Sequence, residues 1–140
     1  MSNTGFNDSD VIAFVRAFDE ALIQVFFIRG GKVMGREHFL INNTEGMTRN
    51  EIITEFIKQF YSGTAFVPKE LILSEDIVSE EKEVILGFLS NLKGSKVTVT
   101  VPVKGEKKQL VELAYKNASI TLGLTPLKYK YSLNYNRQPW

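Results

Sequence analysis

Two apolar runs parted by a pair of glycines constrain this chain more than any other feature. Ala21–Arg29 reads ALIQVFFIR, nearly continuous in apolar residues, as expected of a strand covered on both faces. Gly30 and Gly31 follow, and glycine accepts the positive φ that a tight hairpin needs. Lys32–Ile41 (KVMGREHFLI) then returns as the partner strand. Upstream, Val11–Phe18 (VIAFVRAF) is a further strand candidate, with Asp19 and Glu20 as polar turn residues after it. The three segments predict an antiparallel meander.

Helical signals begin only after that meander. Thr48, Arg49, Asn50 and Glu51 form a capping box, in which the Thr48 hydroxyl and the Glu51 carboxylate satisfy amides at a helix start. Ile52, Ile53, Phe56, Ile57 and Phe60 recur behind it at helical spacing, and Gly63 ends the helix. Glu70–Leu73 (ELIL), after Pro68, reads as a short buried strand. Ser79 is placed to cap a second helix with the stripe Val84, Ile85, Phe88, Leu89 and Leu92, closed by Gly94. Lys96–Val103 (KVTVTVPV) is a β-branched strand with Pro102 near its end, where a missing donor is tolerable. Gly105 precedes a third helix over Glu106–Leu122.

The order is β-β-β-α-β-α-β-α: an α/β (α+β) mixed sheet flanked by helices with right-handed connections, similar to the ribonuclease H-like fold. We divide the chain into an N-terminal tail (1–9), one domain (10–122) and a C-terminal tail (123–140). In that tail Leu127, Tyr129, Tyr131, Leu133 and Tyr135 alternate with polar residues, a period-2 pattern. It is either an added edge strand or a tail of different origin.

Composition narrows the function classes. With 140 residues and 44% hydrophobic content, the chain suits one domain with its own core. The absence of cysteine excludes disulfides, thiolate metal sites and cysteine nucleophiles, and agrees with a cytoplasmic setting. The opening MSNTGFNDSD has neither a basic nor an apolar stretch, so no secretory leader is expected, and no apolar run is long enough to span a membrane. Net charge is +1, unevenly spread. Residues 1–92 hold 8 basic and 14 acidic residues, a balance of −6; residues 93–140 hold 9 and 2, a balance of +7. That polarity would orient the domain toward phosphate or an acidic partner.

Three blocks carry a family resemblance: QVFFIRGGKVMGREHF, FIKQFYSGTAFVPKELIL and GSKVTVTVPVKGEKKQLVELAYKNA. Together they resemble the central region of UvrC, the nuclease component of the bacterial UvrABC excinuclease, over roughly Asp10 to Ala118. The resemblance implies nucleotide excision repair, with DNA and the companion protein UvrB as partners. It also implies a position between the segment that contacts UvrB and the catalytic ribonuclease H-like domain. The family's other parts, a GIY-YIG nuclease and a helix-hairpin-helix module, have no counterpart in these residues. No family catalytic residue carries over, and no cofactor is implied.

A ribonuclease H-like site needs carboxylates converging from the middle of strand one, the first helix, the end of strand four and the last helix. They hold two metal ions about 4 Å apart. Strand one offers Phe14, Val15 and Arg16 at its middle, with Asp10 and Asp19 at its ends. Glu51, Glu55, Glu75 and Asp76 remain as an alternative ligand set, although Glu51 is explained by the capping box; the last helix adds only Glu106 and Glu112 among lysines. The expected domain is therefore catalytically degenerate, with no catalytic and no metal-binding residues. A free-standing metal-dependent nuclease, or an inactive truncated copy, are the alternatives. His38, the single histidine, lacks a partner for catalysis because Glu37 falls on the opposite sheet face. Arg29-Gly-Gly-Lys32 lacks the spacing of a phosphate loop.

For contact, Lys104, Lys107 and Lys108 open the third helix, where free amides and the helix dipole favour a DNA phosphate or a partner carboxylate. Arg29, Lys32 and Arg36 form a second basic group on the hairpin. Tyr61 and Phe66 are candidates to stack on an unpaired base, against a competing role in packing.

Overall fold

The computed structural model describes residues 8–63 and 66–123. Its strands are β1 (Asp8–Ala17), β2 (Glu20–Arg29), β3 (Lys32–Ile41), β4 (Glu70–Leu73) and β5 (Thr98–Thr100). Its helices are α1 (Arg49–Ser62), α2 (Ser79–Lys93) and α3 (Gly105–Thr121). The strands form one sheet in the order β3-β2-β1-β4-β5. β1, β2 and β3 pair antiparallel, while β4 and β5 lie parallel to β1 and to each other. This is the mixed, helix-flanked α/β sheet that the element order predicts.

The central strands are buried on both faces, so their sequences are apolar throughout rather than alternating. On one face Ile12, Phe14, Ile23, Leu71 and Leu73 meet Ile52, Ile53 and Ile57 of α1 and Ile85 and Leu89 of α2. On the other, Val11, Ala13, Phe26, Ile28 and Ile72 meet Val111 and Ala114 of α3. The hairpin turns on Gly30 (φ 61°) and Gly31 (φ 83°), a backbone that a residue with a Cβ adopts only at a cost. The capping box forms in full: Glu51 N–H donates to Thr48 Oγ1 at 3.1 Å, and Thr48 N–H donates to Glu51 Oε1 at 2.9 Å.

Four expectations need correction. The first strand runs over Asp8–Ala17 rather than Val11–Phe18: Phe18 turns with φ 62°, and Glu20 already belongs to β2. β5 covers Thr98–Thr100 rather than Lys96–Val103. The Val97 amide is already committed to Ser90 Oγ at 3.0 Å, and Pro102 has no amide to give. Ser79 is the first residue of α2 and not its cap; that position falls to Val78, whose amide donates to Asn50 Oδ1 of α1 at 3.0 Å. Within the α2 stripe Ile85 and Leu89 are buried, but Val84 is 67% exposed and Leu92 is also exposed, because the sheet beneath narrows to a three-residue edge strand. The alternating pattern at Leu127–Tyr135 lies outside the described residues. Among those residues, no helix is long and apolar enough to cross a membrane.

Candidate nucleic-acid interface

The sheet has two unlike ends. At one, β1, β4 and β5 finish and α1 and α2 begin; at the other those strands begin, β2 finishes and α3 starts. The first end is acidic. Asp19, Glu20, Glu45, Glu51, Glu75, Asp76, Glu80 and Glu81 gather there against Arg16, Arg49 and Lys82. Arg49 donates to both Glu75 oxygens, at 2.6 and 3.1 Å, and its guanidinium lies 4.5 Å from the Phe14 ring centroid. Asp76 pairs with Lys82 at 3.0 Å, and that hydrogen bond, with the Ile77 amide, holds its carboxyl below the usual range. Asn50 bridges to Glu81 at 2.8 Å.

Phe14 is fully buried at the middle of β1, where a ribonuclease H-like site would need a carboxylate. Glu51 is occupied by the capping box, and Glu55 faces solvent beside the apolar groove between β3 and α1. Glu75 is turned onto Arg49 and Asp76 onto Lys82. Among the described residues, no group of three or more histidines, cysteines or carboxylates is arranged to hold a metal ion.

The opposite end is basic. Arg29 closes β2 and stands in register with Lys32. Lys69 precedes β4, and its carbonyl accepts the Thr98 amide at 2.9 Å, which fixes it beside the start of β5 and near Lys96. Lys93 ends α2 and donates to the Val67 carbonyl at 2.8 Å. Lys104 caps α3, and Lys107 pairs with Glu70 at 3.0 Å. Glu70 also accepts from Ser9 and Thr100, so that carboxylate holds β1, β5 and α3 together. Lys108 is half-buried one residue on. The two basic groups seen separately in the sequence thus meet at one end of the molecule. Arg36 does not join them: it sits mid-strand on β3 opposite Phe26, on the α3 side.

A buried polar network anchors this end. Asp10 is 1% exposed among apolar neighbours, and it accepts from the Tyr61 hydroxyl at 2.5 Å and from Arg29 at 2.9 Å. Burial pushes the Asp10 carboxyl above its ordinary value, against the pull of the Tyr61 hydrogen bond and the Arg29 charge. Burial, and then the neighbouring Asp10 carboxylate, push the Tyr61 phenol well above its usual value, so it stays a donor. Arg29 also donates to the Ser9 and Ile28 carbonyls. All three bonds leave from Nη1, and the guanidinium so anchored lies 4.4 Å from the ring centroid of Phe66. Tyr61 is 1% exposed, so its ring packs rather than presents a stacking face. Phe66 differs: it is 41% exposed and lies between the basic groups, with Lys93 Nζ 5.2 Å from its centroid.

His38 is exposed on β3 opposite Gln24, while Glu37 stands opposite Val25, so the two point to different faces as strand alternation requires. Sequence reasoning missed Lys69, Lys93 and Lys96 as members of the basic end, and the Asp10–Tyr61–Arg29 network. Little in the sequence signals the network, because Asp10 follows Asp8 and Ser9 at the start of β1, where a polar run reads as a solvated strand end.

The fold has counterparts among known proteins. Residues 8–124 match the family model described as the UvrC ribonuclease H-like domain. The chain is 48% identical over 116 residues to UvrABC system protein C of Thermoanaerobacter sp. (strain X514), covering 83% of this chain and 18% of that protein. It is 49% identical over 120 residues to UvrABC system protein C of Acetivibrio thermocellus, covering 86% and 19%. The chain therefore spans about a fifth of the length of these relatives. Among solved structures, a foamy viral protease-reverse transcriptase in complex with dsDNA superposes with a TM-score of 0.54 at 11% identity, covering 80% of this chain and 91% of that one. That likeness supports the ribonuclease H-like architecture alone.

Proposed function

Since the chain belongs to the UvrC ribonuclease H-like domain family, we propose that it is a non-catalytic scaffold within an excinuclease that incises damaged DNA in nucleotide excision repair. In this reading it lies between the segment that contacts UvrB and the catalytic ribonuclease H-like domain, and works in the cytoplasm. Its partners are DNA and UvrB, and it needs no cofactor. The contact surface is the basic end, through Arg29, Lys32, Lys104, Lys107 and Lys108, with Arg36 as a more distant contributor on β3.

The observation that carries the non-catalytic reading is the composition of the acidic end. Two-metal hydrolysis needs carboxylates converging on shared ions. Here the middle of β1 carries Phe14 under the Arg49 guanidinium, and Arg49 occupies both oxygens of Glu75. A guanidinium bound to Glu75 repels cations rather than gathering them. The test is incubation of duplex and bubble DNA with the chain and magnesium. Intact DNA is expected. Magnesium-dependent cutting that disappears in Glu75→Ala or Asp76→Ala would establish the nuclease reading instead.

A further inference from the structure

The geometry points to the exposed Phe66 ring, beside Arg29 and Lys93, as a contact site for an unpaired base of single-stranded nucleic acid. This deepens the DNA contact proposed above and rests on it. Phe66 is a large aromatic residue 41% exposed, with a guanidinium 4.4 Å and an ammonium 5.2 Å from its ring centroid. Proteins that hold single strands combine such rings with cations, because every base has a π-face while the backbone supplies charge.

The surrounding charges suit the backbone of that strand. Lys32, Lys69 and Lys96 are exposed at the starts of β3, β4 and β5, and none of them forms an ion pair among the described residues. From β3 to β5 the sheet order gives four inter-strand steps, roughly 19 Å at strand spacing. That width accepts a few nucleotides laid across the sheet end with one base at Phe66. Of the carboxylates at this end, Asp10 is buried on Arg29 and Tyr61, Glu70 is engaged by Lys107, Ser9 and Thr100, and Asp8 accepts the Gly30 amide, while Glu106 is exposed in the first turn of α3 and is outnumbered by the lysines. The buried network also holds Arg29 in place before any ligand arrives, which lowers the ordering cost of binding. A duplex keeps its bases stacked inside and offers none to the ring, so the preference is for single strands.

The test is fluorescence anisotropy of a labelled oligothymidylate of about a dozen nucleotides and of a duplex of equal length, at several salt concentrations. Phe66→Leu is expected to weaken single-strand binding about fivefold or more, with its salt slope and the duplex affinity unchanged. Phe66→Tyr retains the ring and should bind like the parent. Lys69→Glu, at an exposed position, should weaken both ligands and flatten the salt slope. Thermal melting of each variant checks that it is folded. If Lys69→Glu weakens binding but Phe66→Leu does not, the base contact is refuted while the DNA contact stands. If the parent chain binds neither DNA, both readings fall, and the basic end is a surface for an acidic protein.

Discussion

The two ends of this sheet are built from the same inventory of charged side chains and put it to opposite use. At the end where β1, β4 and β5 finish, polar groups are committed to each other: Arg49 to Glu75, Lys82 to Asp76, Asn50 to Glu81. In open parallel sheets this is the end where ligands usually bind, yet its cations hold two helix starts together. At the opposite end Asp10 is buried, Glu70 is shared by β1, β5 and α3, and Asp8 accepts the Gly30 amide, while Lys32, Lys69 and Lys96 face solvent. A fold can thus keep its architecture while the place where it meets the outside moves from one end to the other. Charge pairing, not topology, decides which end is available.

The largest expected effect breaks the anchor of the basic end. Arg29→Ala leaves the Asp10 carboxylate buried without its cation, and should cost about 3–5 kcal/mol in urea unfolding near neutral pH. A cost below about 1 kcal/mol would mean that the pair contributes no more than a surface bridge.

Next comes the DNA contact. Charge reversal by Lys69→Glu with Lys96→Glu is expected to weaken oligonucleotide binding tenfold or more at low salt, by about two phosphate contacts' worth of salt slope, with little change in melting temperature. The matching reversal at the acidic end, Glu80→Lys with Glu81→Lys, should not weaken binding. Equal losses from both pairs would erase the distinction between the ends.

A pH series sharpens the comparison further. The folded-state pKa of Asp10 is raised by burial. Its contribution to stability is therefore full below the unfolded value and is lost as pH climbs through the raised folded value. Asp10→Asn should remove this fall from the unfolding curve, so identical pH profiles for parent and variant would refute the assignment. Asp76 at the acidic end has a lowered pKa and the opposite sign: its contribution is present above the unfolded value and fades as pH drops through the folded one. The smallest effect belongs to Glu75→Ala, which breaks a half-exposed bidentate pair and should cost less than about 1 kcal/mol.

How much of this was legible beforehand depended on sequence distance. The Gly30–Gly31 hairpin, the bounds of β3 and β4, and the Thr48–Glu51 capping box are local events, and local residue chemistry was enough to place them. The α2 cap was misread because its partner, Asn50, comes from another helix. The extent of β5 was misread because Ser90, not a strand neighbour, takes the Val97 amide. The basic end was seen as two unrelated groups, since Arg29, Lys69, Lys96 and Lys107 come from four segments that only the sheet order brings together. Asp10 and Tyr61 lie 51 residues apart, and nothing in the local pattern around Tyr61 distinguishes a hydroxyl that meets a carboxylate from one that meets solvent.

The most direct measurement is a titration of the isotope-labelled chain with single-stranded oligothymidylate, following backbone amide chemical shifts. The account predicts shifts clustered at Arg29–Lys32, Phe66–Lys69, Lys93–Thr98 and the start of α3, with the Ser74–Lys82 region unmoved. Shifts centred on Ser74–Lys82 and Arg49, or none at saturating oligonucleotide, would contradict it.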